Sequence, residues 1–171
     1  MTRTVPGAEA AGTADERTLL LAFLAQHRRI LRETVLKLTD EESRRRLVPS
    51  LTTPLGLLKH ASFVETAWFV CRFGGQSRAD AGIPETVDES FMLDPADDLQ
   101  SLAHAHEAVT ARADRVIESL SLDDSCVHPV MGELTLRWVS VHCIRELAQH
   151  AGHAEILVEQ ILSEREAALR G

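Results

Sequence analysis

Apolar residues recur at three- and four-residue intervals through four separate segments of this 171-residue chain, and that period leaves few folds open. Each segment is long enough for several helical turns and keeps its polar residues to one side, so each must lay an apolar face against the others. The first covers about residues 14–38, with Leu20, Phe23, Leu24, Ile30, Leu31 and Leu38 on one face. The second opens at Thr53-Pro54, a capping hydroxyl followed by proline at the first helical position, and should run to Phe73 and stop at Gly74-Gly75. The third repeats the start signal at Asp94-Pro95, with Asp97 and Asp98 where the helix dipole favours them, and continues to about Leu120. The fourth spans about residues 135–168. Between the second and third, residues 76–94 carry Gly, Pro and acidic side chains without period, which predicts a long crossover. CVHPVMGELTLRW, broken by Pro129 and Gly132, is open to a brief hairpin or an irregular loop. The expected fold is all-α, a four-helix bundle with a long crossover between helices 2 and 3.

This length supports one domain with a core that needs no disulfide, expected over residues 14–171 after a short disordered leader at 1–13. Eighteen basic residues against 26 acidic give a net charge of −8 with no basic face, which removes the main attraction for nucleic acid. No apolar run reaches membrane-spanning length, and the first residues lack the apolar stretch of a secretory signal. Cys71, Cys126 and Cys143 are odd in number and widely spaced, unlike a zinc ribbon or redox pair, so a reducing cytoplasm is the expected setting.

Against this ordinary background one stretch, CIRELAQHAGHAEIL, stands out. On a helical wheel His150 shares its direction, to within roughly 20°, with Val139, Cys143, Leu157 and Ile161, and Glu146 lies about 40° away. Arg145, Glu155 and Glu159 fall on the far side, so a carboxylate faces the core with no cation beside it. A bare ionised carboxylate there costs several kcal/mol, whereas a divalent metal keeps Glu146 charged and His150 neutral and suits their i,i+4 spacing. On the second helix His60 faces the core among Gly56, Leu57, Phe63, Val64, Ala67 and Cys71, and Glu65 points away. His27 and His106 also lie in the apolar sectors of their helices, where a hydrogen-bonded core histidine is the plain reading. His142 and His153 flank the stripe and suit an orienting or proton-carrying role better than ligation. Cys71 and Cys143 fall near the inward histidines, where simple packing is the ordinary use of a buried thiol. Trp68 and Trp138 read as core or rim aromatics that also offer a stacking surface to a substrate.

FLAQHRRIL, TTPLGLLKHASFVETAWF and LRWVSVHCIRELAQHAGHAEIL together resemble the DinB-like superfamily, and within it the branch of mycothiol-dependent enzymes and mycothiol transferases. HAGH resembles that superfamily's HRGQ-like segment, whose first histidine is a metal ligand, as is the residue four before it. The resemblance therefore implies His60, Glu146 and His150 as ligands, the same three the wheel selects. Residues 76–131 match poorly. The implied activity is that of a metal-dependent thiol transferase. Mycothiol or a similar low-molecular-weight thiol is activated on a divalent metal and added to an electrophile or used in an isomerisation, with His153 or His27 carrying the proton. Zn²⁺ is the first choice, and Ni²⁺ or Fe²⁺ also suit two histidines and a carboxylate. The resemblance also favours a homodimer. Two other readings start from the same residues: a metal-dependent hydrolase in which the open position activates water, and a non-catalytic bundle that binds a metal or small ligand.

Overall fold

The structure is a computed structural model, and it describes residues 7–170. It is mostly helical with one small sheet. In order come α1 (Glu16–Val35), α2 (Asp40–Ser43), α3 (Pro54–Glu65), α4 (Arg78–Ala81), α5 (Leu99–Glu118), β1 (Ser125–His128), β2 (Gly132–Thr135) and α6 (Leu136–Arg170). The expected leader divides: residues 1–6 lie outside the described residues, and Ala8–Ala11 forms a turn of 3-10 helix that buries Ala8 and Ala11 against Ala22 of α1.

The helix starts are set by the side chains the sequence offers. Asp15 caps α1 by accepting from Thr18 N at 3.0 Å, and Thr53 caps α3 by accepting from Gly56 N at 2.9 Å. The third long helix begins later than expected. Asp97 is occupied with Asp94 N at 2.8 Å and with Lys59, so Asp98 becomes the cap of α5 and accepts from Ser101 N at 2.8 Å. At the end of α3 the Thr66 hydroxyl donates to Ser62 O at 2.8 Å, and the backbone widens into a π-helix over Thr66–Phe73. Its register shows at the exit, where Gly74 N donates to Phe69 O five residues back.

α1 packs mainly on α6, and α3 on α5. Leu24, Leu31, Leu55, Leu58, Phe69, Ile117, Leu136 and Leu147 are fully buried in the shared core, each contributing on the order of 2 kcal/mol. The fold is mostly helical as expected, and of the two forms open to CVHPVMGELTLRW it takes the hairpin, antiparallel with Ser125 opposite Thr135 and His128 opposite Gly132. Gly132 takes a positive φ of 77° at the hairpin's return, where a side chain would be strained. The crossover holds α4 and a 3-10 turn at Asp88–Phe91, and it is pinned to α3 by Lys59, whose Nζ donates to Met92 O at 2.8 Å and Asp97 Oδ2 at 2.7 Å. Among the described residues no helix is long and apolar enough to cross a membrane, and all three cysteines are free.

Two inward-facing groups differ from expectation. α1 turns Arg28 into the core, while Phe23 is exposed and His27 only half-buried. Glu65, expected to point away, is fully buried and takes Arg28 in a two-bond clasp, Nε–Oε1 2.9 Å and Nη2–Oε2 2.5 Å. Arg28 Nη1 reaches on to Asp114 Oδ1 at 2.7 Å, joining α1, α3 and α5. The wheel misplaces Glu65 because it treats long side chains as radial spokes, whereas a buried guanidinium can draw a carboxylate inward.

Candidate metal centre

His60 on α3 and Glu146 and His150 on α6 come together so that one ligand atom from each lies within 4.8 Å of the others. The two imidazole rings sit 4.8 Å apart at 90° to each other. Among the described residues this is the one grouping of three or more histidine, cysteine or carboxylate groups close enough to share an ion. His150 Nε2 stands 3.6 Å from Glu146 Oε2, beyond hydrogen-bond reach, and both ring nitrogens of His150 are buried with no hydrogen-bond partner. Such a buried, unsatisfied imidazole is costly unless something binds it.

The charges suit a cation. Burial, and then the neighbouring His150, lower His60 to about 4, and burial lowers His150 as well, so both rings are neutral with free lone pairs near pH 7. Burial pushes Glu146 up, but the Arg145 hydrogen bond, the Arg145 charge and, at the acid pH where Glu146 titrates, the protonated His142 and His150 hold it below the ordinary carboxylate value. Two neutral imidazoles and one carboxylate are a standard donor set for zinc or nickel. The residues present therefore fit a divalent ion.

Glu146 is not without a cation, as the wheel implied. Arg145 folds back and donates to Oε1 at 2.9 Å, leaving Oε2 on the His150 side. The arginine backbone position does face outward, but its long arm reaches around the helix.

His150, Glu146, His142 and Trp138 are spaced by four residues, and such a ladder drifts about 40° per step around a helix. It therefore climbs out of the core toward the hairpin: the side chains of His150 and Glu146 are 12% and 23% exposed, and Trp138 is 41% exposed. α3 and its π extension present His60, Val64, Trp68 and Arg72 in the opposite direction. Trp68 meets His142 at 5.1 Å and Trp138 at 6.0 Å between ring centres, and His142 stacks on Trp138 at 5.1 Å. The hairpin closes this end, with His128 stacked on Trp68 at 5.4 Å and Arg72 donating to Val127 O at 3.1 Å. The trio thus lies at the inner end of this ladder, and the rings of His142 and the exposed Trp138 lie toward the surface.

The other expected residues separate from the trio. His153 is exposed on the next turn of α6, its ring 6.2 Å from that of His150. His27 stays on α1 outside the cluster, and His106 is fully buried against Glu65, Nε2–Oε1 4.0 Å. Cys143 is buried in the core, and burial raises its thiol well above the usual value, so it packs as a neutral side chain. Ser90 and Phe91 were invisible in the sequence because the crossover has no period. In the fold Ser90 Oγ lies 2.7 Å from His60 Nδ1, and Phe91 stacks on the same ring at 4.0 Å.

A family model described as mycothiol-S-transferase matches residues 19–162, which include His60, Glu146 and His150. Among solved structures, a crystal structure of a conserved protein from Enterococcus faecalis superposes with a TM-score of 0.64 at 16% identity, covering 86% of this chain and 98% of that one. At that identity the likeness speaks for the fold. No curated protein gives a significant match.

Proposed function

The chain belongs to the mycothiol-S-transferase family, and on that premise we propose that it is a metal-dependent thiol transferase built as a four-helix bundle of the DinB-like type. One observation carries the reading: three ligand-type side chains converge, one of them His150 with neither of its buried ring nitrogens hydrogen-bonded, inside the matched span. His60, Glu146 and His150 would hold a divalent ion, Zn²⁺ first among the candidates, whose positive charge would lower the pKa of a thiol brought to it.

The rest is the work of the chain's own residues. Arg145 holds Glu146 Oε1 and so directs Oε2 toward His150. His153, exposed beside the trio, takes the thiol proton; the sulfur's electron pair forms the bond to the electrophilic carbon as a leaving-group or π bond at that carbon breaks, and His153 returns the proton to the atom that receives those electrons. Trp138 and His142 give the body of the thiol or of the electrophile a flat wall to lie against. His27, half-buried on α1, is the second candidate for this task. Mycothiol or a similar small thiol and an electrophilic partner are the substrates in this account, with a cytoplasmic setting that suits three free thiols and a homodimer as the assembly.

The test is turnover by the zinc-loaded protein with a panel of small thiols and electrophiles. Loss of thiol that needs both partners and stops on chelation supports the transferase. Electrophile consumed equally well without thiol would instead mean hydrolysis, and no turnover with any pair would count against both.

A further inference from the structure

We propose that Ser90, delivered by the crossover, is a positioning residue that fixes the tautomer of His60 and so presents Nε2 to the metal centre; the inference rests on the metal reading above. The hydroxyl of Ser90 has a single proton, and it is committed to Val87 O at 2.5 Å, an oxygen that can only accept. Toward His60 Nδ1, 2.7 Å away, Ser90 Oγ must therefore accept, which places the ring proton on Nδ1. Nε2 is then left with its lone pair, on a ring whose centre lies 4.8 Å from that of His150.

The ring is also held against turning. Phe91 lies parallel to it, 4.0 Å between centres and 13° between planes, and Ser90 itself is fully buried. Flipping the imidazole would leave the Ser90 oxygen without its donor in a site closed to water.

Ser90 does not depend on His60 for its place. Lys59 anchors the following residues through Met92 O, Asp94 and Asp97. Gly56 lets the crossover backbone come close: a Cβ there would stand 3.0 Å from Phe91 O. Adjacent residues of α3, Lys59 and His60, thus grip the same segment, one for anchorage and one for ligand orientation. A histidine's second nitrogen is the usual handle by which a protein sets the basicity and aim of a metal ligand.

The experiment is a long-range proton–nitrogen correlation spectrum of His60 in the metal-free wild type, paired with zinc affinity of wild type and Ser90→Ala by competition with a chromophoric chelator. The expected spectrum shows His60 protonated on Nδ1. Ser90→Ala, folded by circular dichroism, is expected to mix the tautomers and to bind zinc about 10- to 100-fold more weakly. A wild-type His60 protonated on Nε2 overturns the proposal, and because it needs no variant it decides the matter even if Ser90→Ala misfolds. Wild-type affinity in a folded Ser90→Ala overturns this inference alone, whereas a wild type that takes up no zinc overturns the metal reading and this inference together.

Discussion

Replacing Glu65 with leucine would strand a guanidinium in the core. The Arg28 side chain is 6% exposed and spends two of its three hydrogen bonds on Glu65, which is itself 0% exposed. What remains is Nη1 to Asp114 at 2.7 Å, and that carboxylate is half in solvent. Burial pushes the Glu65 carboxyl up and Arg28 opposes that rise without cancelling it, so the carboxylate depends on its partner as Arg28 depends on it. Removing one member of a buried pair costs about 3–5 kcal/mol, because the survivor keeps its desolvation penalty and loses its partner. For a chain of this size that corresponds to a melting temperature lower by roughly 6–20 °C. The double variant Arg28→Met with Glu65→Leu removes both charges, and should recover most of the loss or exceed the wild type. Urea unfolding of wild type, both single variants and the double variant completes the cycle. A Glu65→Leu loss below about 1 kcal/mol, or a double variant no better than the single, would refute the account of Arg28 as a buried and dependent charge.

His106 is fully enclosed, and burial, with the nearby Arg32 and Arg28, lowers it to about 3 from an ordinary 6.5. Between those values the unfolded chain binds the proton first, so each pH unit of acidification costs up to about 1.4 kcal/mol. His106→Leu should flatten the stability curve below pH 6.5 and leave its shape above that unchanged; parallel curves for the two proteins would contradict the burial argument. Gly56→Ala would set a methyl 2.9 Å from Thr53 Oγ1 and 3.0 Å from Phe91 O. It should cost about 1–3 kcal/mol and loosen the crossover, read as faster hydrogen exchange at the Asp88–Phe91 amides, and unchanged exchange would show the approach to be slack. Trp138→Ala removes the exposed end of the aromatic wall and should raise KM for the stacked substrate with little effect on metal content; an unchanged KM would take the wall out of substrate binding.

Much of this architecture was legible because helix period and punctuation are local signals. Thr53-Pro54 and Gly74-Gly75 bound the second long segment at both ends, and the i,i+4 spacing put Glu146 and His150 on one face, while His60 was one of several inward histidines until the family resemblance singled it out. Positions of long, charged side chains were not legible, since a wheel gives the direction of a Cβ and not the reach of an arm. Glu65 and Arg145 both went against their wheel directions for this reason. Asp94 looked like the cap of α5, yet competition from Lys59 and Asp97 moved the start to Asp98, a tertiary effect that local pattern does not contain. Ser90 carried no signal at all: an isolated serine in an aperiodic crossover gains meaning only when the fold places it on His60.

The central claim is that His60, Glu146 and His150 hold an ion in common, and elemental analysis of the purified protein tests it most directly. After equilibration with zinc and removal of free metal, the wild type should retain a single ion per chain, and Glu146→Ala and His150→Ala should lose it while remaining helical. A wild type that keeps no zinc, or variants that keep as much as the wild type, would contradict the claim.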